Sequence, residues 1–330
     1  MSVLVVVEPE DLGDEGAGLS VVSQEVLTFA RTLPGEDVDA VLVGLPCGGA
    51  PPEAVLAHCR EQGVRTLHVT PEHRLERYAA RAWARVVEGA AEAGGAAYLV
   101  AAGTARGNEV LAHVAAARGV PMPCNVVAVV QEEPLEVERQ VVGGAVLERV
   151  ALQAEGGLAI ASVAGHAVAP EPAPSPGETR VEEVAVELTE ADLAAQVVRV
   201  EAKEGGDTSA LTGAHVVVGA GRGVGGADQF DDVEALAARL GGAVGVSRVV
   251  TSLGWRPHHE QVGQTGSRIA PDLYFACGIS GAIQHWAGCS SSKTIIAINT
   301  DGEAPMVTKA RYAVIGDMHE VIPAVLEELS

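Results

Sequence analysis

Short apolar runs rich in valine alternate with alanine-rich amphipathic stretches along most of the chain. Runs that are apolar throughout are typical of strands buried on both faces of a parallel sheet, and the stretches between them are typical of covering helices. The pattern predicts strands at residues 3–7, 38–43, 66–69, 97–101 and 125–130, with helices at 20–33, 52–62, 75–92 and 108–118. We therefore expect the first part of the chain to be an α/β domain.

Three further strand-like segments follow at residues 136–142, 145–153 and 158–163, joined by glycine pairs. This spacing predicts antiparallel hairpins that complete the first sheet. Residues 167–179 then hold four prolines and lack a hydrophobic period, a composition that favours an extended spacer. Because residues 181–188 alternate like another strand of the first sheet, we predict that the proline-rich segment is an internal surface loop.

A second α/β unit is predicted after Glu204-Gly205-Gly206-Asp207, which places the domain boundary between residues 203 and 204. Its predicted elements are strands at residues 215–219, 243–246, 272–276, 295–298 and 312–316, with a helix at about 229–240. We expect two α/β domains, 1–203 and 204–330, each built on a mainly parallel sheet with flanking helices. The second is expected to be Rossmann-like, that is, doubly wound.

Composition narrows the classes of function. Acidic residues number 44 against 22 basic ones, and aromatic residues make up 3% of the 330 residues. Nucleic-acid binding is not expected, because it relies on basic side chains at phosphates and aromatic rings on bases. No apolar run approaches the ~20 residues of a membrane span, and the five cysteines form no C-x-x-C pair. The chain is expected to be a cytoplasmic protein rather than a membrane protein.

A glycine-rich loop offers the first candidate chemistry. Residues 221–226 match G-x-G-x-x-G between a predicted strand and a predicted helix, a context in which backbone N–H groups can hold a pyrophosphate. A tight turn without a ligand is the structural alternative. The next strand ends in Ser247-Arg248 rather than in an acidic residue, so a 2′-phosphate, and with it an NADP-dependent dehydrogenase, is an alternative. A nucleotide-binding module with a purely structural role is a further alternative for the function of this domain.

A second strand–glycine–helix turn covers residues 277–285, with Ser280 expected near the helix N-cap. Ligands of open parallel sheets bind beyond the carboxyl ends of the strands. Six polar residues stand at such ends: Arg222, Ser247, Arg248, Ser280, Asn299 and Asp317. We therefore expect a ligand site at this edge of the second sheet.

These residues belong to a longer pattern. Residues 219–323 resemble the FAD-binding domain of the α subunits of electron-transfer flavoproteins. The resemblance rests on Gly221-Arg222-Gly223, Gly245-Val246-Ser247-Arg248 and the segments 261–266, 278–285, 297–299 and 301–305. Residues 102–119 are similar to the family's nucleotide-hydrolase-like amino-terminal domain. The chain departs from the family at Ser267, where a lysine is usual, and at Gly302, where a proline is usual.

The resemblance implies FAD as cofactor and a set of binding positions. Arg222, Ser247, Ser280 and Gly281 match positions at the phosphates and ribitol, and Asn299, Asp317 and Met318 match positions around the ADP moiety. The isoalloxazine would be flanked by Val262, Gly263, Gln264 and Thr265, with the Thr265 hydroxyl near N5, by Arg248, and by His285 near O2. The signature 278–285 adds Ala282, Ile283 and Gln284. Arg248 would stabilise the negative charge that reduction brings, and His285 would supply a hydrogen bond or, if protonated, a charge.

The resemblance also implies a function without substrate turnover of its own. The chain would form a heterodimer with an electron-transfer flavoprotein β subunit. It would carry electrons from dehydrogenases of the acyl-CoA type, in fatty acid β-oxidation, to a membrane quinone oxidoreductase. An electron-bifurcating or nitrogen-fixation-type member of the family is the alternative within this class.

Overall fold

The computed structural model describes residues 2–10, 17–45, 50–142, 144, 146–152, 157–199 and 209–329. Contacts between Cα atoms divide the chain into two compact units, Met1–Val141 with Leu147–Glu201 and Val142–Val146 with Ala202–Ser330. The boundary predicted between residues 203 and 204 lies outside the described residues, and so does Cys47. Among the described helices, none is both long and apolar enough to cross a membrane.

The first unit is built on a sheet whose strands are mainly parallel. Its strands are β1 (Ser2–Val6), β2 (Asp37–Val41), β3 (Val64–Val69), β4 (Ala96–Ala102), β5 (Val126–Glu132), β6 (Leu135–Val141), β7 (Val146–Ala151), β8 (Ala159–Val163) and β9 (Arg180–Glu183). Its helices are α1 (Val21–Ala30), α2 (Glu53–Glu61), α3 (Ala80–Gly94) and α4 (Ala105–Arg118). The strand order is β7-β6-β5-β8-β4-β1-β2-β3-β9. Buried apolar clusters cover both of its faces, as the valine-rich runs predict.

Two predictions for the first unit are wrong. The strand β8 is not part of an antiparallel hairpin, because it pairs parallel with β4 and β5 and lies between them. All five of its residues are buried, which suits the interior of a sheet and not a hairpin at its edge. The helix predicted from residue 75 begins only at Ala80, because Ala79 has an extended backbone and the residues before it form a single 3₁₀ turn, His73–Leu75.

The proline-rich segment lies along the first unit. The N–H of Ala173 donates to the carbonyl of Glu61 (2.8 Å), and the Thr179 hydroxyl donates to the carbonyl of Val64 (2.8 Å). The chain then enters β9, which pairs parallel with β3. Residues 167–179 therefore connect two strands of the same sheet.

The second unit contains a smaller sheet. Its elements are α5 (Ser209–Thr212), β10 (Val216–Ala220), α6 (Asp231–Arg239), β11 (Ala243–Val246), α7 (Arg248–Ser252), β12 (Leu273–Cys277), α8 (Ile283–Cys289), β13 (Thr294–Asn299), α9 (Pro305–Lys309), β14 (Tyr312–Ile315) and α10 (Met318–Glu328). Its five strands are all parallel in the order β11-β10-β12-β13-β14. The chain reverses its direction of winding between β10 and β12, which is where doubly wound sheets bind ligands. The predicted α/β class with mainly parallel sheets is confirmed.

Candidate functional site

A cavity of about 730 Å³ opens at the carboxyl ends of the second sheet. Of the sixteen residues predicted as cofactor-binding, fifteen line it: Arg222, Ser247, Arg248, Val262, Gly263, Gln264, Thr265, Ser280, Gly281, Ala282, Gln284, His285, Asn299, Asp317 and Met318. Ile283 does not, and its side chain is 51% exposed. The fold thus gathers at one edge residues that lie up to 96 positions apart in the chain.

The glycine motif lets two loops pass each other closely. The N–H of Gly223 donates to the carbonyl of Gly278 (3.1 Å), and a Cβ on Gly223 would lie 2.6 Å from the Gly278 Cα. Side chains at these positions would force apart the loops that follow β10 and β12. Within the motif, Arg222–Val224 form a 3₁₀ turn, and α6 begins at Asp231, close to the predicted start at about residue 229. The close crossing is what brings Arg222 to the cavity.

Positive charge in the cavity comes from Arg222 and Arg248. Both side chains are largely exposed, and within the described part of the chain neither forms an ion pair or a side-chain hydrogen bond. In the same unit, by contrast, Arg256 contacts both Glu234 and Glu260. Two guanidinium groups without partners in an open cavity fit an anionic ligand such as a diphosphate.

Two buried polar atoms of the cavity wall have no hydrogen-bond partner among the described residues. They are Ser247 Oγ and His285 Nδ1. An orphaned buried polar group costs about 1–3 kcal/mol, so a ligand that satisfies both atoms would be stabilised. Together with the two arginines, these atoms fit a large, polar and anionic cofactor such as FAD.

The hydroxyl of Thr265 is oriented by a short hydrogen-bond chain. Thr251 Oγ1 donates to Gln261 Oε1 (2.7 Å), and Gln261 Nε2 donates to Thr265 Oγ1 (3.0 Å). Since the Thr265 oxygen accepts this bond, its own hydrogen is free to point at a ligand. Gln261 is 2% exposed and lines the cavity, yet it is absent from the predicted set. Its place in a polar, glycine-flanked loop was the available signal.

Asn299 and Asp317 already bond within the chain. The Asn299 amide donates to the carbonyl of Ile279 (3.0 Å) and accepts from the N–H of Asp301 (3.1 Å). Asp317 is the N-cap of α10 and accepts from the N–H of His319 (3.0 Å). Both side chains therefore hold the loops that form the rim of the cavity, whatever they contribute to a ligand.

The loop after β12 depends on Gly281. Its φ is +77°, and a Cβ there would collide with the backbone of Met306, whose N–H donates to the Ser280 carbonyl (3.1 Å). Ser280 was expected near the helix N-cap, and it lies two residues before that position, because α8 begins at Ile283 and Ala282 is its N-cap. Ser280 lies before the helix, in the turn that faces the cavity.

His285 is neutral at pH 7. Its side chain is 7% exposed, and burial lowers its pKa to about 4, an effect that the backbone of Val262 partly offsets. Burial acts in this direction because it disfavours the charged imidazolium. Of the two roles left open for His285, the hydrogen bond is therefore the one that this structure supports, and the fixed positive charges of the cavity are those of Arg222 and Arg248.

Comparison with known proteins agrees with this site. Residues 210–290 match the family model described as the electron transfer flavoprotein FAD-binding domain, and residues 12–189 match the electron transfer flavoprotein domain. The prediction of FAD is confirmed. The match favours FAD over NADP, the alternative that Arg248 at the end of its strand had suggested.

Two of the relatives match nearly the whole chain, and a third matches about a third of it. The electron transfer flavoprotein subunit alpha of Mycobacterium tuberculosis is 41% identical over 328 residues, which cover 99% of this chain and 98% of the relative. The corresponding subunit of Mycobacterium leprae is 39% identical over 310 residues, covering 94% and 93%. That of Syntrophomonas wolfei is 55% identical over 119 residues, covering 36% and 38%. This chain belongs to the family of electron transfer flavoprotein α subunits, and it contains that family's FAD-binding domain.

Proposed function

We propose that this chain is the α subunit of a heterodimeric electron carrier whose β subunit completes the enclosure of FAD. The carrier accepts electrons from flavoprotein dehydrogenases of the acyl-CoA type and passes them to a membrane quinone oxidoreductase. Its place is in fatty acid β-oxidation, in the cytoplasm. The FAD-bearing domain extends over residues 204–330.

The observation that carries the proposal is the charge distribution of the cavity. Within the described residues it combines a neutral imidazole with two guanidinium groups that form no ion pair, and the carboxylates of Asp301 and Asp317 also line it. When bound there, FAD would supply the electron-transfer chemistry, and the protein would set the reduction potential of the flavin. A fixed cation favours the negative charge gained on reduction, and about 1.4 kcal/mol of such preference corresponds to about 59 mV for one electron. Tuning of this kind suits a carrier.

We assign the residues of the cavity to two parts of FAD, the phosphates with the ribitol and the isoalloxazine ring. Arg222, Ser247 and the turn at Ser280 hold the phosphates and ribitol. Arg248 lies near the ring and stabilises charge, while Thr265 and His285 donate hydrogen bonds to it. Among the described residues that line the cavity, Ser247 and His285 are the two whose buried polar atoms lack a protein partner, which supports their assignment to the cofactor.

Electron transfer between purified proteins tests the proposal. The complex of this chain with its β subunit is mixed with an acyl-CoA dehydrogenase and its substrate, and the visible absorbance of the flavin is followed. We expect bleaching that requires the dehydrogenase and recovery on addition of a quinone oxidoreductase with quinone. Absence of bleaching would refute the proposed donors. Reduction by NADH, with two FAD per heterodimer, would point to the bifurcating type instead.

A further inference from the structure

Behind the wall of the cavity, a buried tyrosine contacts the cavity histidine. Tyr274 lies in β12 and is fully buried, and its Oη is 2.8 Å from Nε2 of His285 in α8. The two rings are nearly parallel, with an interplanar angle of 26° and centroids 6.2 Å apart. The phenol is therefore held at the edge of the imidazole that faces away from Nδ1.

The neighbouring strand leaves room for this contact. Gly219 lies in β10 beside β12, and a Cβ at that position would come within 2.6 Å of the Tyr274 Cε2. Any larger residue at 219 would displace the phenol ring. The glycine at this position thus provides a second observation, independent of the hydrogen bond, that the ring has a defined place.

The direction of the hydrogen bond follows from the partners. A buried phenol needs an acceptor for its hydrogen, and among the described residues His285 Nε2 is the acceptor that Tyr274 contacts. Burial keeps the Tyr274 pKa well above 10, so the phenol retains its proton. If Nε2 accepts, the one proton of the neutral imidazole is on Nδ1, since each ring nitrogen is set by the bond that the other makes.

Nδ1 is the atom through which His285 would act on a ligand. Nδ1 is buried and makes no hydrogen bond of good geometry in the described part of the chain, while the backbone of Val262 is near enough to the ring to raise its pKa. We take Nδ1 as available because, among the described residues, the only well-formed hydrogen bond of the ring is the one between Nε2 and Tyr274. A donor bond to Nε2 polarises the ring and strengthens the N–H on the opposite side.

We propose that Tyr274 is a positioning residue of the flavin site: its hydroxyl donates to Nε2 of His285, fixes the imidazole proton on Nδ1, and so makes the neutral ring a hydrogen-bond donor in the cavity wall. The proposal rests on the proposed function for its effect on a bound flavin. The tautomer itself depends only on the two side chains.

Nitrogen NMR of the complex with [¹⁵N]histidine tests the tautomer without any electron transfer. The His285 signals are identified by their absence from the His285→Asn variant. We expect an unprotonated Nε2 and a protonated Nδ1 in the unsubstituted protein, and a mixture of tautomers in Tyr274→Phe. A protonated Nε2 in the unsubstituted protein, or an unchanged tautomer in Tyr274→Phe, would overturn the proposal.

Redox titration of the same complex tests whether Tyr274 acts through His285. We expect Tyr274→Phe to lower the first reduction potential, and we expect no further shift when it is added to His285→Ala. Tyr98→Phe, in β4 of the first unit, is the matched control and should leave the potential unchanged. Equal shifts with and without His285 would overturn the proposal. Failure of the dehydrogenase assay would refute the proposed function and leave the tautomer result standing.

Discussion

The neutral, buried state of His285 gives the second unit a specific dependence of stability on pH. We consider the substitution His285→Gln, which keeps a polar side chain of similar reach but removes the titrating group. The flavin-free complex is the form to study, because in it the cavity wall has the burial described above. The folded-state pKa of His285 is about 4, against an ordinary value of 6.5.

The sign and size of the change in unfolding free energy with pH follow from proton linkage. Because the folded pKa is depressed, the unfolded chain binds a proton more readily, and stability is lost as pH falls from 6.5 through 4. At pH 5 the loss attributable to His285 is about 2 kcal/mol, and below pH 4 it approaches about 3.4 kcal/mol. Above pH 7 the imidazole is neutral in both states and contributes no pH dependence.

Denaturant unfolding of the second unit, followed by fluorescence at several pH values, measures this effect. The difference in unfolding free energy between the unsubstituted protein and His285→Gln should be constant above pH 7 and should shift in favour of the variant by about 2 kcal/mol at pH 5. His113→Gln, at an exposed position of α4, is the control for the loss of a histidine outside the cavity. Parallel stability curves for His285→Gln and the unsubstituted protein between pH 7 and 4.5 would refute the reasoning.

Three further predictions concern charge, backbone and the first unit. In redox titrations, Arg248→Ala should lower the first reduction potential more than His285→Ala, since a permanent charge is lost in place of one hydrogen bond; the reverse order would contradict this. Gly281→Ala should abolish FAD retention on gel filtration because φ is +77° and a Cβ would clash with the backbone, whereas Gly302→Ala, with no atom closer than 3.9 Å, should retain FAD. Asp192 accepts from a threonine hydroxyl and pairs with two arginines, which lowers its pKa to about 2. Asp192→Asn should therefore be less stable in thermal unfolding above pH 4, and this deficit should vanish as pH falls towards 2.

The edge of the second sheet was predictable because polar residues end apolar strands. Arg222, Arg248 and Asp317 each follow a valine- or isoleucine-rich run, and parallel strands bring such positions together. Ile283 was predicted with its neighbours because it lies within the same signature. At the first position of α8 its side chain projects away from the cavity, and a contiguous motif does not encode that direction.

Other features depend on long-range packing. The place of β8 between β4 and β5 is not contained in its local pattern, because glycine pairs also occur in connections other than hairpins. The charge state of His285 depends on burial, which no spacing reveals. Tyr274 reads as a core residue of an apolar strand, and only the contact between β12 and α8 shows that its hydroxyl faces an imidazole.

The visible spectrum and nucleotide content of the complex purified with its β subunit test the central claim most directly. We expect a yellow protein whose absorbance is lost on chemical reduction, with FAD released on denaturation. We also expect the FAD content to fall when Arg222 and Ser247 are replaced together by alanine. A colourless complex, or one that releases a nicotinamide nucleotide from this cavity, would contradict the account.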